Sequence, residues 1–206
     1  MPESIDLRNS GDPQTGAGVS AAADVRYVLD PRTSRFTVRA FASGMLSAFG
    51  HSPTIAIRDF AGEAQFSPDN LESASLRVTV KAASLGVTDD VSDKDRREIE
   101  REMQEKVLES ARYPEIVYAC TGVSVDNPAN GQYSIKLRGN LTLHGVTHSL
   151  TIPARVAVTG DMLRAFGDFS LRQSDYNIKP VSAIGGGLKV KDEVKFSFDI
   201  VARKQE

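Results

Sequence analysis

The sequence predicts a mainly β fold: one antiparallel β-barrel domain with a single amphipathic helix inserted in a crossover. Three observations carry this. From Val25 onward, run after run alternates apolar and polar residues with period two. Turn-forming residues punctuate those runs. One charged segment, 92–111, abandons the alternation for a period near four. Strict alternation buries one face of a strand and wets the other, which is the pattern of antiparallel sheet. The runs number roughly eight, as in a sandwich or a barrel.

Taken in order, the chain opens on a stretch with little to bury. Residues 8–23, RNSGDPQTGAGVSAAA, cannot offset the entropy of ordering, so 1–24 reads as a flexible N-terminal tail and 25–206 as the barrel domain. Phe36, Val38 and Ala40 then alternate with polar neighbours, as do Leu76, Val78 and Val80. Further apolar segments at 54–60 and 114–123 alternate less cleanly. Ile135, Leu137, Gly139, Leu141 and Leu143 follow, then Leu150, Ile152, Ala154, Val156 and Val158. Leu163 to Leu171 and Val194 to Ala202 complete the set. Turns are expected at Pro68-Asp69-Asn70, at Asn127-Pro128-Ala129-Asn130-Gly131 and at Gly160. A glycine-rich loop, Val181 to Gly187, precedes the last strand.

The exception is SDKDRREIEREMQEKVLESA, residues 92–111. Ile99, Met103, Val107 and Ala111, widened by Leu108, form one apolar stripe on a charged helix. Ser92 suits the N-cap, with Asp93 and Asp95 favoured in the first turn. Glu102 and Lys106 form an i,i+4 pair, and Tyr113-Pro114 closes the segment. Such a stripe is expected to pack on the domain core, and the acidic residues argue against an anionic lipid surface.

Composition narrows the function. Lys+Arg 25 against Asp+Glu 27 leaves a net charge of −2, so nucleic acid is not expected as a partner. No run is long and apolar enough for a spanning helix, and no stable membrane insertion is expected. The N-terminus has neither a basic nor an apolar leader region. The expected location is therefore cytoplasmic, or periplasmic for a chain whose leader has been removed. Cys120 is the single cysteine and reads as a small buried hydrophobe.

Five segments, in order, resemble the YceI-like family of bacterial lipid-binding proteins, over most of 26–203. They are Tyr27-Val28-Leu29-Asp30-Pro31 with Ser34 and Phe36, then Phe60 to Phe66, Tyr113-Pro114-Glu115-Ile116, Gly139 to Thr147, and Asp192-Glu193-Val194. The motif GNLTLHGVT, Gly139 to Thr147, is the most specific of these. The resemblance implies an eight-stranded lipocalin-like barrel with an inserted helix. It also implies a tunnel for a polyisoprenoid or similar amphiphile, with no catalytic residues or cofactor, often in a homodimer. The chain departs from the family pattern in its longer, highly charged helix, in His51, and in His148 after Thr147.

Eight strands enclose either a filled core or room for one small molecule. The inward rows mix Gly139, Ala154, Ala165 and Gly167 with large residues, which means either a cavity or a taper filled by neighbours. With the family resemblance, the expected tunnel walls are Leu137, Leu141, Ile152, Ala154, Phe169, Phe196 and Phe198. A head group would meet Lys179, or Arg96, Arg97 and Arg101 of the helix; Arg155, Arg164 and Arg172 fall on outward rows. The expected function is non-enzymatic binding, storage or transport of an isoprenoid or fatty-acyl molecule.

Two other classes stand beside it. His51, His144 and His148 would together make a three-histidine metal site for a metal-dependent hydrolase. The last is a ligand-free, stress-related interaction module. Ser52 and Ser182 lack a G-x-S-x-G elbow, and Gly185-Gly186-Gly187 lacks the ending of a phosphate loop.

Overall fold

A computed structural model describes residues 24–43, 52–67, 70–129, 132–180 and 189–205. Its strands are β1 (Val25–Leu29), β2 (Arg35–Ser43), β3 (Thr54–Ile57), β4 (Phe60–Ser67), β5 (Asn70–Lys81), β6 (Leu85–Val87), β7 (Glu115–Ala129), β8 (Gln132–Leu143), β9 (Val146–Thr159), β10 (Met162–Arg172) and β11 (Lys189–Gln205). A single α-helix, α1 (Asp93–Glu102), lies between β6 and β7. All strand pairings are antiparallel, and β11 pairs with both β1 and β2, so the sheet closes on itself.

The eleven segments make an eight-stranded barrel because six of them are halves of kinked strands. β1 and β2 run along the same neighbour, β11. β3 and β4 lie against β2 and β1, and β6 and β5 lie against β3 and β4. At each kink the inward row changes parity. Tyr27 and Leu29 give way to Phe36, Val38 and Ala40; Ile55 and Ile57 to Phe60, Ala64 and Phe66; Leu76, Val78 and Val80 to Leu85 and Val87. A bulge at Thr121 does the same within β7, switching the inward set from Ile116 and Tyr118 to Val123 and Val125. An extra residue in one strand flips every later side chain to the other face unless it is absorbed this way. These shifts are why 54–60 and 114–123 alternate poorly as sequence.

Two turns differ from expectation or refine it. β7 continues through Asn127-Pro128-Ala129, where Ala129 pairs with Gln132 after a register shift, so the turn is shorter than the sequence suggested. The β9–β10 turn is a two-residue hairpin, Gly160-Asp161, between the paired Thr159 and Met162. Gly160 has φ +56°, the conformation that glycine takes without a side-chain penalty. All but the last residue of the expected 1–24 tail, the turn residues Pro68, Asp69, Asn130 and Gly131, and the loop Val181 to Gly187 lie outside the described residues.

The helix is shorter than its stripe. Ser92 caps it, accepting a hydrogen bond from the Asp95 amide at 3.1 Å, and Glu102 pairs with Lys106 at 2.6 Å. After Glu102 the backbone widens into a π turn over Met103–Val107, where the Leu108 amide bonds the Met103 carbonyl at 2.9 Å. Glu109 then takes φ +44° and ends the coil, so Ala111 is exposed and not part of the apolar face. Met103 and Leu108 are buried.

A second stripe on this segment, Arg96, Glu100 and Gln104, has a structural task. Among the described residues no strand pairs with the far edge of β6. Arg96 donates to the carbonyls of Val87 and Asp89, Glu100 accepts from the Val87 amide at 2.9 Å, and Gln104 donates to Ala82 and Leu85 at 3.2 Å. Side chains four residues apart on a helix thus stand in for a missing strand, satisfying an edge that would otherwise be open.

Candidate functional site

The inward rows enclose a cavity of about 900 Å³. Its size comes from which inward positions are filled and which are not. At Gly139 a Cβ would meet the Ala119 carbonyl at 2.5 Å and the Tyr118 ring at 2.7 Å. At Gly167 it would meet the Pro153 carbonyl at 2.5 Å and the Phe198 ring at 2.9 Å. Those two glycines make room for neighbouring rings, not for a ligand. Ala154 and Ala165 instead lie on the cavity wall. Both readings of the small residues therefore hold, at different positions.

Leu137, Leu141, Ile152, Ala154, Phe169, Phe196 and Phe198 all line this space. Phe169 and Phe196 stack with centroids 4.8 Å apart, and Phe36 meets Phe60, Phe196 and Phe198 edge-on at 6.2 to 6.3 Å. Phe169, Phe196 and Phe198 point inward yet are only half-buried, because open space lies in front of them. Aromatic edges and faces at these separations make a wall that is rigid as well as apolar. The helix closes one end, contributing Ile99, Met103, Val107 and Leu108 to the wall. Its apolar stripe marked it for burial in the sequence, but not for facing a cavity.

Polar groups on the wall are few. The Tyr118 hydroxyl donates to the Leu137 carbonyl at 3.0 Å and lies near that of Leu150 at 3.3 Å; burial pushes its pKa well up, so it stays neutral. Asp89 accepts the Thr54 amide at 2.6 Å at the helix end, where Glu98 and Glu102 also reach the cavity rim. Lys204 lies at the opposite end. Gln173, just past β10, is the one buried polar residue of the described core, at 8% exposure.

The expected head-group residues do not gather at the cavity. Lys179 and Arg97 are exposed, and so are Arg155 and Arg172, as their outward rows imply. Arg164 is paired with Asp199 at 2.6 Å and Arg101 with Glu98 at 2.8 Å. Arg96 is spent on the β6 edge, so it is neither a head-group ligand nor part of a solvated helix face.

His144 ties the β8–β9 turn to its neighbours at the helix end. His144, in the β8–β9 turn with φ +52°, bonds the Tyr176 carbonyl through Nδ1 at 3.2 Å and Glu109 through Nε2 at 3.1 Å. Its ring lies 4.4 Å from that of Tyr113. Gly145 beside it is irreplaceable in shape: φ is +74°, and a Cβ would strike the Tyr113 ring at 2.6 Å. His148 is exposed, with its ring edge-on to Tyr176 at 5.3 Å. Both nitrogens of His144 are thus engaged by the protein, and His51 lies outside the described residues. Among the described residues no three His, Cys, Asp or Glu side chains converge as metal ligands. Cys120 is half-buried at the β7 bulge, its thiol pushed up in pKa by desolvation, which is the inert form.

The same architecture recurs in solved structures. The chain is similar to Burkholderia cenocepacia BcnA, at 19% identity and TM-score 0.63, over 84% of this chain and 98% of that one. It is also similar to a polyisoprenoid binding domain from Saccharophagus degradans, at 16% identity and TM-score 0.62, over 87% and 98%. In sequence it is 32% identical to an Azotobacter vinelandii UPF0312 protein over 70% of this chain and 68% of that protein. Protein YceI of Escherichia coli is 27% identical over 79% of this chain and 80% of its own length. The YceI-like domain matches residues 27–202, from within β1 to within β11, and the chain belongs to that family.

Proposed function

We propose that this protein binds a long apolar or amphiphilic molecule inside the barrel and stores or carries it without chemical change. The observation that carries this is the cavity: about 900 Å³, walled by aliphatic side chains and a rigid phenylalanine cluster. That volume is at the upper end of the roughly 300–1,000 Å³ typical of small-molecule sites. Each methylene moved from water into such a wall gains about 0.8 kcal/mol, so a prenyl or acyl chain binds usefully with few polar contacts. The similarity to a structure described as a polyisoprenoid binding domain supports an isoprenoid as the class to try first. A fatty-acyl lipid is the alternative of the same shape. The phenol of Tyr118 is spent on a backbone carbonyl and the His144 ring on the Tyr176 carbonyl and Glu109, so neither serves as a catalytic group in this reading.

Native mass spectrometry of the protein purified from its own host, with organic extraction of the same sample, tests the proposal. A co-purified lipid-like mass that leaves on extraction is the expected result. A folded protein that carries none, and takes up neither a prenyl alcohol nor a fatty acid when supplied, overturns it. Light scattering of the same sample tests the homodimer that the family resemblance implies.

A further inference from the structure

We infer that Gln173 is a polar recognition point inside the cavity and that it selects a ligand whose terminus donates a hydrogen bond, such as an alcohol. The inference rests on the carrier reading above and names the chemistry of the ligand's end.

The orientation of the Gln173 carboxamide is fixed by its partners. Nε2 lies 3.0 Å from the Lys191 carbonyl and 3.4 Å from that of Asp192. Two carbonyls accept and cannot donate, so the NH₂ group must face them and Oε1 must face away. Among the described residues the side-chain hydrogen bonds of Gln173 all run through Nε2, and none is made to Oε1. Gln173 is nonetheless 92% buried, at 8% exposure, and forms part of the cavity wall. Oε1 is not sealed in the core as a buried atom without a partner would be, so a ligand in the cavity that supplies a donor gains a hydrogen bond there.

Gln104 makes a useful contrast. It too spends Nε2 on two carbonyls, but its Oε1 is sealed in the core without a partner among the described residues. It is not on the cavity wall, so no ligand reaches it. Only at Gln173 does the spare acceptor meet the space where a ligand would lie.

The surroundings sharpen the selection. The other polar side chains reaching the cavity near the helix, Asp89, Glu98 and Glu102, are carboxylates. None of the four donates a hydrogen bond into the space. An ether or aldehyde terminus at this end finds acceptors facing acceptors, and an anion finds like charge. A neutral hydroxyl finds a partner. At the opposite end Tyr27, Tyr133 and Lys204 offer donors, so the selection is a property of the Gln173 end alone.

The test is competition between a C20 prenyl alcohol, its methyl ether and its aldehyde, which share one hydrocarbon and differ in whether they donate. Lipid-stripped protein is mixed with equal amounts, and native mass spectrometry reads the bound ratio. Wild-type protein is expected to favour the alcohol about threefold to tenfold, the span of one ordinary hydrogen bond. Gln173→Leu is expected to bring the ratio to parity while still taking up the chain. Equal binding of all three by the wild type overturns the inference and leaves the carrier reading standing. A preference that survives in Gln173→Leu also overturns it, since another group is then the acceptor. Should Gln173→Leu fail to fold, Gln173→Met, which keeps the length of the side chain and removes the carboxamide, carries the same expectation. Folded wild-type protein that binds none of the three points to failure of the carrier reading itself and removes the basis of the inference.

Discussion

The barrel is closed in two different ways. From β7 to β11 the wall is a continuous meander of long strands, joined edge to edge by backbone hydrogen bonds. From β1 to β6 every strand is broken by a kink, and the last edge is sealed by side chains of a helix. Backbone ladders tolerate many sequences, because any residue but proline supplies the same donor and acceptor. A side-chain seam depends on a few named residues. The wall should therefore be sensitive to volume, and the seam to single polar groups.

The largest effect is expected in the wall at Gly139→Ala. The new Cβ lands 2.5 Å from the Ala119 carbonyl, a backbone atom that cannot turn aside, and 2.7 Å from the Tyr118 ring. Overpacking of this kind costs about 3 kcal/mol. Chemical denaturation should show that loss as a lower midpoint. A midpoint within error of wild type would mean that the Tyr118 ring has another place to go.

Next comes the seam, at Arg96→Ala. The guanidinium holds two backbone carbonyls, those of Val87 and Asp89, on an edge with which no strand pairs among the described residues. Losing such a charged donor costs about 2 kcal/mol. Hydrogen exchange should localise it: amides of β6 and α1 exchange faster while those of β8 and β9 keep their protection. Uniform acceleration across the wall would show that seam and wall open together, and the contrast between them would fall.

This contrast also explains what the sequence made legible. In the wall, period two survives within β8, β9 and β10 and along β11 from Val194, and the seven expected cavity residues all come from these strands. In the kinked half the parity changes at 30–34, 58–59 and 82–84 hide the same inward row, so β6 and much of β4 do not stand out as alternating runs. The helix was visible by its period, but Arg96, Glu100 and Gln104 look like any solvated charged face. Their partners are backbone groups 7 to 22 positions away, which carry no side-chain signature. Gln173 is hidden for the same reason: nothing in the residue type tells that its amide hydrogens are taken and its oxygen is not.

Ala154→Trp asks whether the wall is also the binding surface. Ala154 is buried on the cavity side of β9, opposite Ile135. An indole there fills space that a chain would need, so uptake should fall about tenfold, which is about 1.4 kcal/mol, with the fold retained by circular dichroism. Unchanged uptake would put the ligand elsewhere in the cavity.

The smallest effect joins the two regions. Asp192, at the bulged start of β11, accepts the Ser174 hydroxyl at 2.6 Å and the Ser174 amide at 2.8 Å. These bonds, the hydroxyl first, hold its carboxyl below the ordinary aspartate range. A group whose folded pKa is depressed stabilises the fold above its unfolded value, near 3.9, and that contribution fades as pH falls through the folded value. Asp199 is held low in the same direction by Arg164. Lowering pH from 7 into the carboxylate range should therefore lower the melting temperature, and Asp192→Asn should flatten part of that slope while leaving Asp199's share. The same substitution loosens the turn that carries Gln173, so the alcohol preference of the cavity should weaken slightly at neutral pH. A variant that keeps both the full pH slope and the full preference would show that the Ser174 bonds neither bias folding nor position the Gln173 end of the cavity.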